Sequence, residues 1–231
     1  ELCFALIDAN PGFIEDTWHT VGLRGTGSHD VVLEDVYVED DFCGVVPNNS
    51  LPLPDLPFYR LPSALRFPFP KTGVAAGLAS KAIADFRSLA LEKRPLNSKR
   101  SLGERPDAAL AMARAEALLG AGQAWVNEQL DAVWKVANEN TVVAEDLHAR
   151  VRLACSWSVQ NSINAIQHLV DAAGSSANFE KSGLMTLLDD ARAVAGHFMV
   201  GSYHMFHMFC NEQWVLGERE RERERKTYCV F

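Results

Sequence analysis

Histidines and carboxylates at helical spacing are the side chains of this sequence best placed to do chemistry. Glu145-x-x-His148 occurs once, Asp190, His197 and His204 recur at seven-residue steps, and His204-x-x-His207 adds a histidine pair. Carboxylates combined with Glu-x-x-His pairs on facing helices are what hold a di-iron centre inside a helical bundle. Such a centre needs the pair twice and more carboxylates than these positions supply, so no metal site is expected. Histidines that satisfy hydrogen bonds in a helical core are the plainer reading. A serine hydrolase would carry G-x-S-x-G between a strand and a helix, and the sequence has no such elbow. Gly25-Thr26-Gly27 is the nearest approach to a dinucleotide-binding loop, but it runs into a strand pattern instead of opening a helix. A flavin held in some other fold stays open.

The elements that must position these residues follow from periodicity. Residues 2–7 are apolar and close at the turn Asn10-Pro11-Gly12, and residues 31–38 are rich in β-branched side chains in rough alternation, so both read as strands. Between them, Gly22-Leu23-Arg24-Gly25-Thr26-Gly27-Ser28 reads as a glycine-rich connection, with a phosphate cradle as the sharper alternative. Seven of the ten prolines fall between residues 45 and 70, which removes backbone donors and predicts a linker without regular structure. After Pro70, Val74, Leu78, Ala82, Phe86 and Leu89 line one face of a helix that Pro95 stops. Pro106 opens a second, with Ala111, Ala115, Leu118, Gly122, Trp125, Gln129 and Val133 on its stripe to about Ala137. Thr141 can cap a third that ends at Gly174, and Ser182 a fourth that runs through His197 to Met205.

Short connections between such helices favour antiparallel neighbours. The expected fold is therefore mainly α: a C-terminal antiparallel four-helix bundle preceded by a partial antiparallel β domain. Residues 1–47 form the β domain, 48–70 the proline-rich linker and 71–216 the bundle. Residues 217–226 are alternating Glu and Arg charge without apolar anchors, which predicts a solvated, disordered tail over 217–231.

Composition narrows the partners. Of the 231 residues, 48% are hydrophobic and 23% charged, enough apolar mass for an ordinary core. Thirty acidic against 22 basic residues give a net charge of -8, which argues against nucleic acid. The five cysteines have no C-x-x-C pair, which suits reduced packing thiols in a cytoplasmic protein. There is no run of 18 apolar residues, no signal-peptide pattern, and Cys229 lies third rather than fourth from the end, so neither a membrane span nor prenylation is expected. The chain opens on Glu1 directly inside a strand pattern, which predicts the back portion of something longer.

Trp18, then Gly22-Leu-Arg-Gly-Thr-Gly-Ser28, then Asp30-Val-Val-Leu-Glu-Asp-Val-Tyr-Val38, then a proline-rich exit into four helices, together resemble the acyl-CoA dehydrogenase superfamily. Within it the chain looks most like the flavin-dependent monooxygenase branch. That branch carries approximately Gly-Gly-Ser-Ala-hydrophobic-Tyr before its last helix, and here stands Ala173-Gly-Ser-Ser-Ala-Asn-Phe179. The last helix of the family bears Asp, several small residues and a histidine, which Asp190 and His197 match.

The resemblance implies His197 as the catalytic acid or base beside a reduced FMN or FAD, with Arg94, Ser176 and Phe179 as cofactor contacts across a subunit boundary. It also implies a small aromatic or polyketide-like substrate, a separate flavin reductase, and a homotetramer or dimer. Family members begin with a helical domain that this chain does not contain. Thr186 and Asp189 stand where the family carries arginines, removing two cations that would steady an anionic cofactor or a subunit contact. Two other readings accompany this one: an acyl-CoA dehydrogenase, which abstracts an α-proton with a glutamate, and a non-catalytic remnant kept for oligomerisation or partner binding.

Overall fold

The computed structural model describes residues 3–8, 12–45 and 55–201. Its β part consists of two separate antiparallel pairs. β1 (Cys3–Ala5) pairs with β4 (Cys43–Val45), with Phe4 opposite Gly44, and β2 (Phe13–Glu15) pairs with β3 (Asp30–Val32), with Ile14 opposite Val31. The strand expected over 31–38 stops at Val32, and Asp35 turns into the left-handed region at φ 50°. Alternation there reflected a bent connection, not a ladder.

Two one-turn helices, α1 (Pro57–Arg60) and α2 (Ser63–Arg66), occupy the proline-rich stretch expected to lack regular structure. Proline tolerates the first turn of a helix because its missing N–H has no intrahelical partner there, so closely spaced prolines seed short turns. The same logic starts α3 (Pro68–Glu92) at Pro68 rather than after Pro70, with the Thr72 hydroxyl donating to the Pro68 carbonyl.

The bundle is completed by α4 (Pro106–Glu139), α5 (Glu145–Ala173) and α6 (Leu184–Ala195). Helix α5 is central, packing against α4, α3 and α6. The chain runs up, down, up and down: Lys93 just past α3 donates to the Ala173 carbonyl at the end of α5, 2.7 Å away, so α3 and α5 finish at the same pole. Alanines let the helices approach closely. Ala75, Ala79, Ala82, Ala115, Ala165 and Ala191 are all buried, with Phe86, Ile166, Leu169 and Leu188 filling the space between them. A Cβ on Gly122 would lie 2.8 Å from Ser158 Oγ, which fixes glycine at the α4–α5 crossing.

Several local expectations shift. Val74, placed on the inner stripe of α3 by its spacing, is 49% exposed, and the buried face is the adjacent alanine row. Thr141 does not cap α5. Ala144 holds that position, while Thr141 donates its N–H to Val136 O after Asn140 adopts the left-handed conformation that closes α4. Gly183, at φ 68°, holds the cap position of α6, and Ser182, one residue earlier, donates its hydroxyl to Ala177 O and accepts the helix's first N–H, from Leu184, at 3.4 Å. Helix α6 has 12 residues and ends at Ala195, so His197 lies in a turn and not on a helix face shared with Asp190. His204, His207 and the charged tail lie outside the described residues. Cys155 is buried as a packing thiol should be, but Cys43 is exposed.

Candidate active site

The glycine-rich segment docks on α6. Gly22 is buried where a Cβ would be driven into the Asp189 carbonyl, and the next N–H, that of Leu23, donates to Asp190 Oδ1 at 2.6 Å. Trp18 braces the loop from below by donating its Nε1 proton to Leu23 O at 3.0 Å. Arg24–Thr26 forms a single 3-10 turn and Gly27 takes φ 55°. The segment is thus a clamp between the β part and the last helix, and Asp190 is its anchor.

One and a half turns beyond Asp190, the chain leaves α6 and folds into the turn 196–201. Val200, 1% exposed, plugs this turn into the lower core beside Val194, Val151 and Leu65. His197 is half-buried and stacks on Phe198 with ring centroids 4.9 Å apart. The Met199 N–H donates to its Nδ1 at 3.1 Å, so in the neutral ring the proton sits on Nε2. Burial, and then the charges of Lys71 and Arg152, push the His197 pKa below the usual histidine value.

Arg152 is the cation that closes this corner. It is 8% exposed on α5, donating to Phe198 O at 2.8 Å and to the Met199 sulfur at 2.7 Å, while its Nε has no partner among the described residues. Desolvation depresses its pKa. Lys71 and Arg66 both stand over the Phe67 ring, at 5.3 and 5.7 Å, with Arg66 also over Phe58. Phe67 and Phe198 remain 46% and 56% exposed. The foot of the bundle therefore offers aromatic faces flanked by positive charge, chemistry that fits a planar, electron-rich ring system.

The other expected site residues gather at the opposite pole. Arg94 is exposed past the end of α3, Ser176 lies in the 3-10 turn after α5, and Phe179 is 61% exposed. A cleft of about 410 Å³ opens beside them, lined by Lys81, Asp85, Ser88, Glu180, Lys181 and Ser182. Helix α6 separates this pole from His197 by about 18 Å of rise. One chain therefore does not bring its own Arg94, Ser176 and Phe179 to its own His197. Among the described residues, no three His, Cys, Asp or Glu side chains converge closely enough to hold a metal ion.

Sequence reading passed over Arg152, Lys71 and Arg66. Arg152 had a signal: it shares a helical row with Ala149, Ser156 and Val159, all buried, so a charge interrupts an inner stripe.

Residues 71–202 match the family of the acyl-CoA dehydrogenase C-terminal domain, more than half of the chain. The chain belongs to this family. The indole-3-acetate monooxygenase of Acinetobacter baumannii is 30% identical over 197 residues, covering 85% of this chain and 50% of that protein. The flavin-dependent monooxygenase oxygenase subunit HsaA of Mycobacterium tuberculosis is 26% identical over 227 residues, covering 88% of this chain and 53% of its own. Among solved structures, XiaF from Streptomyces sp., in complex with FADH2 and glycerol, superposes with a TM-score of 0.80 at 23% identity, covering 93% of this chain and 57% of that one. That last likeness is one of fold. The chain spans about half the length of the curated relatives it matches. Among the described residues no helix is long and apolar enough to cross a membrane.

Within this family fold the thiol beside Arg152 makes a simple probe of the corner's integrity. Burial pushes the Cys155 pKa up to about 11. At pH 8 the native protein should leave Cys155 unalkylated by iodoacetamide while Cys43 reacts, as peptide mass mapping will read. The unfolded chain gives up this proton at lower pH than the folded one, so stability should fall between about pH 9 and 11.

Proposed function

We propose that this chain supplies the bundle wall of a flavin-dependent monooxygenase. It acts as an oxygenase component, receiving reduced FMN or FAD from a separate cytoplasmic flavin reductase and hydroxylating a small aromatic substrate. The observation that carries the proposal is His197: a half-buried ring with Nδ1 occupied, Nε2 available, and a depressed pKa that keeps it neutral at physiological pH. The named activities of the relatives support the same reading.

Reduced flavin, when bound, supplies the electrons that activate dioxygen. In its neutral form His197 holds a proton at Nε2, where it can be donated to a reacting oxygen. Phe198 stacks on the imidazole, while Lys71 and Arg152 favour negative charge beside it. Arg94, Ser176 and Phe179 serve a second subunit's cofactor in a homotetramer or dimer, since they lie at the pole away from His197.

An acyl-CoA dehydrogenase is less well supported, because α6 and the following turn to Gly201 contain no glutamate and Asp190 is engaged by Leu23. Titration of the purified chain with FMN and FAD tests the proposal. A flavin absorbance shift is expected at roughly tens of micromolar cofactor, the ordinary affinity range for an exchanged cofactor. Acyl-CoA should not bleach the bound flavin. No shift with either cofactor overturns both enzyme readings and leaves the non-catalytic one.

A further inference from the structure

We propose that the corner formed by Lys71, Arg152 and the turn after α6 is a carboxylate site, so that the substrate is an aromatic acid whose anionic group anchors here. The inference rests on the monooxygenase reading for the word substrate, but its physical basis is separate. Arg66, Lys71 and Arg152 make no ion pair with any carboxylate among the described residues, although six Lys or Arg pairs with carboxylates form elsewhere. A buried guanidinium without a counter-charge is costly, and natural sites supply one.

What Arg152 has instead is weak. One terminal nitrogen sits on the Met199 thioether, a poor acceptor, one on the Phe198 carbonyl, and Nε on no acceptor among the described residues. A carboxylate offers two oxygens of the kind a guanidinium fork prefers. It would displace the Met199 sulfur, and Lys71 would close the other side. The exposed faces of Phe67 and Phe198 then flank the arene attached to that carboxylate, next to His197. A flavin phosphate is the competing oxyanion.

Equilibrium dialysis of the 231-residue chain against indole-3-acetate and its neutral amide, with and without flavin, tests this. The acid should bind about tenfold or more tightly than the amide, as a charge-assisted pair implies. Lys71→Gln and Arg152→Gln should each reduce that preference to about threefold or less. Lys71 is half-exposed at the first turn of α3, so its variant keeps the test valid should the Arg152 variant fail to fold. Equal affinity for acid and amide, or binding of neither, overturns the carboxylate site; if flavin still binds, the monooxygenase reading survives. Acid preference without any flavin binding supports the site and removes the enzyme reading. If Lys71→Gln instead erases a preference for FMN over riboflavin, the corner holds the cofactor phosphate and the inference is overturned.

Discussion

Gly22→Val will release the glycine-rich segment from the last helix while leaving the bundle folded. The contact is backbone against backbone: a Cβ at Gly22 meets the Asp189 carbonyl and stands 2.8 Å from Asp190 N, and neither can rotate aside as a side-chain tip could. Overpacking of this kind costs about 1–3 kcal/mol, and here the hydrogen bond from Leu23 N to Asp190 Oδ1 is lost with it. Among the described residues the strand pairs pack little against the bundle helices, and they are short, with apolar side chains exposed at Phe13, Ile14 and Val31. Trypsin should then cut at the exposed Arg24 several-fold faster than in the wild type, with helical circular dichroism unchanged. Gly25→Ala is the matched control: beyond its chain neighbours no atom of the described residues lies within 4 Å of a Cβ there, so its digestion should follow the wild type. Equal digestion of Gly22→Val and wild type would rule out the clamp.

That pair of glycines shows where the sequence was legible and where it was not. Proline and glycine punctuation and the apolar stripes located all four long helices, because burial at three- and four-residue steps is a local property of each helix. Helix ends were less legible. Thr141 and Ser182 have capping side chains, yet the chain closes its neighbouring helices with left-handed Asn140 and Gly183, which places the caps elsewhere. The glycine-rich motif could be read only as a turn or a cradle. Its partner is 167 positions away in Asp190, and one sequence carries no record of that approach. His197 was legible through family resemblance alone. Its cationic neighbours come from α3 and α5, and of these only Arg152 left a trace, as a charge within a buried row.

His197→Ala should separate catalysis from binding in any preparation that takes up flavin. Positioned acid–base groups contribute typically about 10²–10⁴-fold, so hydroxylated product from an aromatic acid should fall by that order while the flavin absorbance shift stays within about twofold. The fold should tolerate the change, because the turn is held by Val200 in the core and by Arg152 on Phe198 O, neither of which needs the imidazole. The pH profile gives an independent sign. Burial, Lys71 and Arg152 favour the neutral ring, so the wild-type rate should keep its basic form down to a pH below the ordinary histidine midpoint of about 6.5, then fall. The same sign applies to stability. The folded state holds this proton more weakly than the unfolded chain, so acidification through that range weakens the fold, and His197→Ala should remove both limbs together. A variant that loses flavin along with activity would make His197 a cofactor-holding residue. An unchanged rate would leave it as packing for Phe198.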